Sequence, residues 1–231
     1  MKRFYQKAEA VPAAGGRGVV LDGKLVKTPG KRDLILPSIA LAAAVAAEWD
    51  AQQGEIRPAT MPLTRLAGTT IDRNPTQRDA VVRQVAHYAG TDLVCYRAAH
   101  PPALAARQQA VWQPLIDWAV ERYSAPLAVT AGIVPATQPV ASLEAFAAAV
   151  AAHDDFSLTA LHAATAACGS LVIALALLEG HLDAAVAFAA SQLDESFQIE
   201  AWGEDMEQTE RRAGLAAEIA AAAEFMSLLR G

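Results

Sequence analysis

Hydrophobic and polar positions follow a strand-like pattern near the start of the chain. Segments 17–21 and 24–28 flank the pair Asp22-Gly23, which readily adopts the positive φ angles of a tight turn. The sequence therefore predicts a β-hairpin over these residues. A short apolar run at 34–36 predicts one further strand.

Helical spacing of apolar residues replaces this pattern from Ser38 onward. Ser38 is a good helix N-cap, and the helix that it starts is expected to run to about Gln53, where Gly54 would end it. Pro114 lies inside one of the later helical segments and is expected to kink or divide it. A short strand is predicted at 127–130. Further helices are predicted at 62–72, 75–88, 101–123, 142–152, 157–178, 182–201 and 207–229.

The order of these elements predicts an α+β fold in two parts. Residues 1–73 would form a small domain with the N-terminal β-hairpin, its sheet and a helix, and residues 74–231 a mainly α-helical domain. Hydrophobic residues make up 53% of the chain, but many are alanine, which favours close-packed helices. The longest apolar stretch, 168–178, is about half of the ~20 residues that a membrane-spanning helix needs. We therefore expect no membrane insertion.

Charge is distributed unevenly along the chain. All five lysines lie within 1–31, which also holds two arginines and only two carboxylates, so this segment carries a net charge of +5. The remainder carries −11, which gives −6 for the whole chain. The basic segment is either a solvated edge that discourages strand aggregation or a polar surface for a partner. Nucleic acid is not an expected partner, because the acidic bulk of the protein would repel phosphate.

The residue types and spacings of common catalytic sites are not assembled in this sequence. Segment 18–24 matches the GxxxxGK pattern of a phosphate-binding loop, but Leu25 follows it instead of Ser or Thr, and the segment lies in the predicted hairpin. Cys95 and Cys168 have no metal or redox spacing and are expected to be reduced thiols. Histidines are scattered over different predicted elements. We therefore expect no catalytic residues, cofactor, metal or small-molecule substrate, although the fold could still bring distant carboxylates together.

Segment 194–210 combines seven carboxylates with four large apolar residues: Phe197, Ile199, Trp202 and Met206. In one continuous helix, the last three would share a face. Gly203 could instead break the helix and leave the Trp202 indole at a surface groove. The segment is either an ordinary amphipathic helix with a solvated acidic side or an apolar patch with an acidic rim, which is typical of a protein–protein site.

A second aromatic residue, Trp49, lies at the end of the first predicted helix. It is expected to pack against Leu63 and Leu66 and so to join the strand region to the helices.

Several segments together resemble the assembly chaperones of the F-type ATP synthase that handle its alpha subunit. The resemblance covers nearly the whole chain, in the same order. The segments are RFYQKAEAV with LDGKLVKTP near the start, EWDAQ (48–52), MPLTRLAGTTID (61–72), YAGTDLVCYR (88–97), QQAVWQPLIDW (108–118) and FQIEAWGED (197–205).

The resemblance implies a molecular chaperone without enzymatic activity. It would bind unassembled alpha subunit and shield the surface that the beta subunit later covers. The chain starts without a targeting extension, so the bacterial form and the cytoplasm are expected. The main alternative is a protein-binding scaffold module with a different client. The residues expected to form or support the partner site are Glu195, Phe197, Gln198, Trp202 and Glu204.

Overall fold

The computed structural model describes residues 1–73, 75–132, 134–203 and 205–230. Its N-terminal part is a four-stranded antiparallel sheet with β2 in the centre. β2 pairs with β1 along its whole length, with β3 at its end and with β4 at its start. The strands are β1 (Ala8–Ala13), β2 (Gly16–Leu21), β3 (Lys24–Leu25) and β4 (Ile35–Leu36).

The predicted hairpin is confirmed as the β2–β3 connection. Asp22 and Gly23 have φ angles of 48° and 80°, as a tight primed turn requires. The Asp22 carboxylate also accepts hydrogen bonds from the backbone N–H groups of Gln6 and Lys7, which lower its pKa. The GxxxxGK segment thus forms a strand, a turn and a strand, and lacks the helix N-terminus on which a phosphate loop depends.

Helices form most of the remaining chain, so the α+β fold class is confirmed. The helix predicted at 62–72 has the predicted limits. Two short strands, β5 (Tyr96–Arg97) and β6 (Thr130–Ala131), pair in parallel between helices. The helices are α1 (Ile39–Asp50), α2 (Pro62–Asp72), α3 (Pro75–His87), α4 (Pro102–Tyr123), α5 (Val140–Ala151), α6 (Asp155–Cys168), α7 (Leu171–Leu178), α8 (Ala184–Ser191), α9 (Leu193–Trp202) and α10 (Met206–Arg230).

Two predictions about helix continuity were wrong. The segment predicted as one helix at 157–178 is α6 and α7, because Gly169 adopts a left-handed φ of 64° and Ser170 caps α7. The segment predicted as one helix at 182–201 is α8 and α9, which separate at Gln192. Pro114, in contrast, does not divide α4. Buried residues of α4 on both sides of Pro114 pack into the core, which stabilises the helix against the loss of one backbone hydrogen bond.

The central helix α7 is apolar on every side, and all eight of its residues are buried. Its N-terminus is capped by the buried carboxylate of Asp92. Asp92 accepts hydrogen bonds from the backbone N–H groups of Leu171 and Val172, at 2.8 and 3.0 Å, and from the Ser170 hydroxyl at 2.5 Å. Burial outweighs these bonds and raises the pKa of Asp92 to about 6.

The sheet and the helices share one connected hydrophobic core, which runs from Val19 in β2 to Phe225 in α10. The Glu48 side chain of α1 caps α2, since its two carboxylate oxygens accept from the backbone N–H groups of Leu63 and Thr64, both at 2.7 Å. The predicted domain boundary at 73/74 stays a prediction. In the described part of the chain, no helix is long and apolar enough to cross a membrane.

Candidate functional site

The acidic segment singled out in the sequence forms α9, the turn after it and the start of α10. α9 begins with Asp194 and Glu195 in its first turn, where negative charge interacts favourably with the helix dipole. Its residues divide into an inner face, which contacts α4, and an outer face toward solvent.

The inner face consists of Asp194, Phe197 and Glu200, which are spaced three residues apart. Gln108 of α4 donates a hydrogen bond to the Asp194 carboxylate at 2.7 Å. Arg107 binds the two carboxylate oxygens of Glu200 at 2.7 and 2.9 Å, and its guanidinium lies 5.3 Å from the centre of the Phe197 ring. These contacts fix the orientation of α9 on α4.

The electrostatics of the two inner carboxylates differ. The hydrogen bond from Arg107 lowers the pKa of Glu200, whereas burial raises the pKa of Asp194. Both side chains therefore anchor α9, and the exposed Glu200 keeps its negative charge at neutral pH.

The outer face consists of Glu195, Gln198 and Trp202, at spacings of three and four residues. Glu195 is half-buried, Gln198 is exposed, and Trp202 is 81% exposed at the last position of α9. The structure thus places three of the predicted site residues on one face and Phe197 on the other, half-buried under Arg107. Glu204 lies outside the described residues.

Gly203 ends α9 and sets the position of Trp202. Its φ and ψ of 85° and 171° lie in a region that is open almost exclusively to glycine. Its backbone N–H donates to the Ile199 carbonyl at 2.8 Å. The predicted break at Gly203 is therefore confirmed.

Met206, which was expected to share a helical face with Trp202, instead starts α10 and is 79% exposed. The two large apolar side chains flank the turn between the helices. Asp205 accepts from the backbone N–H of Gln208 at 2.8 Å and caps the start of α10.

α10 is fastened to the elements before it through Arg212. The guanidinium of Arg212 donates to the Ser196 hydroxyl at 3.1 Å and lies 5.3 Å from the centre of the Phe188 ring. α9 and α10 are therefore each held in place, and they expose Trp202 and Met206 within a segment that is rich in carboxylates. Such a surface suits binding. Throughout the described ranges, no group of three or more His, Cys, Asp or Glu side chains is placed to bind a metal ion.

Sequence reasoning missed two residues of this site, Arg107 and Gln108. They belong to α4, more than 85 residues before their partners in α9. Their only sequence signal is that Gln108 begins one of the segments that carry the family resemblance. The other predicted feature, Trp49, is half-buried, and its ring makes an edge contact with Tyr5 at a centroid distance of 5.9 Å.

A family model decides the relationship of this chain to known proteins. The model described as "ATP12 chaperone protein" matches residues 2–120. The chain belongs to the ATP12 chaperone family. The family is one of chaperones for ATP synthase assembly rather than of enzymes, and this chain is an assembly chaperone of that family.

Solved structures of bacterial ATP12 proteins have the same fold over nearly the whole chain. Atp12 from Paracoccus denitrificans is 43% identical and covers 99% of this chain and 98% of its own, with a TM-score of 0.94. The Atu1473 protein of Agrobacterium tumefaciens is 39% identical and covers 99% of this chain and 86% of its own, also with a TM-score of 0.94. The mitochondrial protein atp12 of Schizosaccharomyces pombe is 22% identical over 87% of this chain and 74% of its own length.

Proposed function

We propose that this ATP12-family chaperone binds the unassembled alpha subunit of ATP synthase and shields its beta-facing surface until the catalytic head assembles. The observation that carries the proposal is Trp202, which is 81% exposed at the end of a helix whose inner face is fixed to α4. Glu195 and Gln198 extend the contact along the outer face, Phe197 supports it from below, and Glu204 follows Trp202 in the sequence.

The residue types of this surface suit a client whose apolar, partner-facing surface is still uncovered. Exposed tryptophan is costly in water, and tryptophan is enriched among the residues that contribute most to protein–protein binding. Met206, exposed at the start of α10, adds a flexible apolar side chain that can adapt to an irregular surface. Carboxylates around the pair favour encounter and orientation without making the complex irreversible.

Release of the client follows from competition by the beta subunit. The only phosphate-loop-like segment in the sequence forms a strand, a turn and a strand, so it offers no helix N-terminus to a nucleotide. We therefore assign neither ATP hydrolysis nor any other catalytic step to this chain. ATP hydrolysis by the purified protein that is lost in Lys24→Ala would contradict this assignment.

The proposal is tested by the affinity of purified variants for isolated alpha subunit. Trp202→Ala should weaken binding at least about tenfold, or about 1.4 kcal/mol, because it removes the central apolar contact. Glu195→Lys should weaken it as well. The matched control is Val140→Ala, since Val140 is 70% exposed on α5, a different helix.

Circular dichroism and the melting temperature of all three variants should stay close to those of the wild type. Equal binding by Trp202→Ala and wild type would refute the proposed site. A scaffold with another client is the competing function, and a pull-down from lysate in which alpha is not the main capture would favour it. The cytoplasm is the proposed location, supported by the similarity to two bacterial proteins, and cell fractionation checks it.

A further inference from the structure

A cavity of about 720 Å³ lies between the N-terminal sheet and α2, away from the α9 surface. Its size is in the range of sites that hold ligands of moderate size. The lining is mainly apolar, and polar residues such as Thr64 and Thr69 of α2 lie at its rim. The apolar side chains that define it are Val26, Leu34, Trp49, Ile56 and Met61.

Trp49 contributes an indole ring to the wall of this cavity. Among the described residues, no acceptor lies within hydrogen-bond distance of the Trp49 Nε1 atom, although that atom is buried. A buried N–H without an acceptor costs free energy, and buried indole N–H groups usually have a partner. The apolar part of the Trp49 ring, rather than this closed-off N–H, is therefore what the cavity offers to an occupant.

The charged residues of the lining favour an occupant with a negative group. Lys27, Arg65 and Arg73 line the cavity, together with Asp72. The Asp72 carboxylate accepts hydrogen bonds from the Thr28 hydroxyl and from the backbone N–H of Gly30, which hold it against the wall, and the three cations of the lining outnumber it. Lys27 forms an ion pair with Asp33 outside the lining.

Arg73 differs from the other two cations of the lining. The side chain of Arg73 is half-buried, and its Nη1 atom donates to the neutral hydroxyl of Thr159 at 3.1 Å. Arg65 lies 3.9 Å from Glu218, at the limit of an ion pair. A carboxylate in the cavity would therefore complement Arg73 most directly.

We infer that this cavity binds an extended apolar segment of the client that carries an acidic residue. The apolar side chain would fill the space against Met61, Leu34 and the Trp49 ring, and the carboxylate would lie at Arg73. This inference rests on the proposed function, since it takes the segment from the alpha subunit. The chaperone then has two separate contacts with one client, at α9 and at the cavity, which raises the overall affinity without a larger single interface.

Gly68 provides a way to close the cavity without touching a charged group. A Cβ atom at Gly68 would meet only the Pro29 side chain, at 3.7 Å, which is an ordinary contact. Gly68→Ala should therefore leave the cavity open, whereas Gly68→Leu should fill the space between α2 and Pro29. The two variants are a matched pair at one helical position.

The test is an array of overlapping short peptides that cover the alpha and beta subunits, probed with wild type and both variants. Wild type should retain peptides that combine an apolar run with Asp or Glu, and Gly68→Ala should retain the same peptides. Gly68→Leu should lose at least about tenfold in affinity. The inference is overturned if Gly68→Leu has the melting temperature of the wild type and binds the same peptides equally well. It is also overturned if the wild type retains no peptide.

The two proposals fail in different ways. One outcome is that Trp202→Ala weakens the binding of full-length alpha while Gly68→Leu does not change it. This outcome refutes the cavity inference and leaves the proposed function in place. Retention of beta peptides alone overturns the inference as well, because the segment would then not come from alpha, and it leaves the proposed function to the test of Trp202→Ala with full-length alpha. If Gly68→Leu does not fold, Arg73→Gln replaces it. That variant should lose the preference of the wild type for acidic peptides over their amide counterparts, and equal binding of both peptide forms by the wild type would overturn the inference.

Discussion

At the scale of single residues, the two unusual tryptophans have opposite environments. Trp49 is half-buried between the sheet and α2, with its backbone carbonyl accepting from the Tyr5 hydroxyl at 2.6 Å. Trp202 is exposed at the end of α9. Each lies in a sequence motif that carries the family resemblance, but the partial burial of Trp49 indicates a role in the fold, whereas the exposed Trp202 is the residue proposed for binding.

The contrast predicts different effects of the same substitution. Trp49→Arg should lower the free energy of unfolding by about 3 kcal/mol, because it removes a packed aromatic ring and places a charge where it is poorly solvated. Arg3, whose guanidinium lies 4.7 Å from the Tyr5 ring, adds like charge nearby. Trp202→Arg should change the free energy of unfolding by no more than about 0.5 kcal/mol. Urea denaturation of both variants measures the free energy of unfolding. A large loss in Trp202→Arg with little loss in Trp49→Arg would mean that Trp202 belongs to the core and Trp49 to the binding site.

Asp92 predicts a pH dependence of stability. Burial raises its pKa in the folded state to about 6, from 3.8 for an ordinary aspartate. Between these values the folded protein holds the proton more tightly than the unfolded chain does. The stability contribution of Asp92 is therefore fully present below about pH 4 and is lost as the pH rises to about 6, by up to about 3 kcal/mol.

The measurement compares wild type with Asp92→Asn by urea denaturation across this pH range. The asparagine side chain of the variant does not titrate, so the stability advantage of the wild type over the variant should shrink as the pH rises from about 4 to about 6. An advantage that is constant over this range, or that grows with pH, would show that the pKa of Asp92 is not raised in the folded state.

At the scale of elements, Gly203 couples the end of α9 to the start of α10. Its backbone conformation is one that residues with a Cβ atom rarely adopt, so Gly203→Ala should strain the turn by about 1–3 kcal/mol or change its path. A change of path moves Trp202 and Met206 relative to each other. Binding of alpha subunit should weaken while the helical circular dichroism is retained.

Gly180 offers the control for this prediction, because it also has a positive φ, of 79°, at the end of a different helix. Gly180→Ala should cost stability but leave the affinity for alpha unchanged. If the two glycine variants weaken alpha binding equally, the turn at Gly203 has no particular role in binding.

The sequence predicted those elements whose signals are local. The Asp22-Gly23 turn, the Ser38 cap and the limits of α2 depend on residues next to one another and agree with the structure. The break between α6 and α7 has a local signal, Gly169 followed by the capping Ser170, which the prediction of one helix overlooked, and it also has a distant contribution. The backbone N–H of Leu171 reaches the carboxylate of Asp92, which is far away in the sequence, and that contact makes a new helix start favourable.

The candidate site shows the same division. The exposed Trp202 and the break at Gly203 could be inferred from local residue types, whereas the arginine that fixes α9 could not. Arg107 and Glu200 meet only in the folded chain, and nothing in the neighbourhood of either residue indicates the other.

At the scale of the whole molecule, the chain combines one connected core with the proposed client surface at α9 and a cavity beside the sheet. The acidic α9 region and the basic N-terminal segment are different parts of the sequence, so charge alone does not define the client surface. The account instead depends on a reversible apolar contact that another protein can replace.

The most direct measurement is co-expression of this chain with alpha subunit alone, followed by addition of purified beta subunit. The account predicts that alpha remains in solution as a complex with this chain, and that beta displaces the chain without ATP. Alpha that aggregates as fast with the chaperone as without it, or a complex that beta does not dissociate, would contradict the central claim.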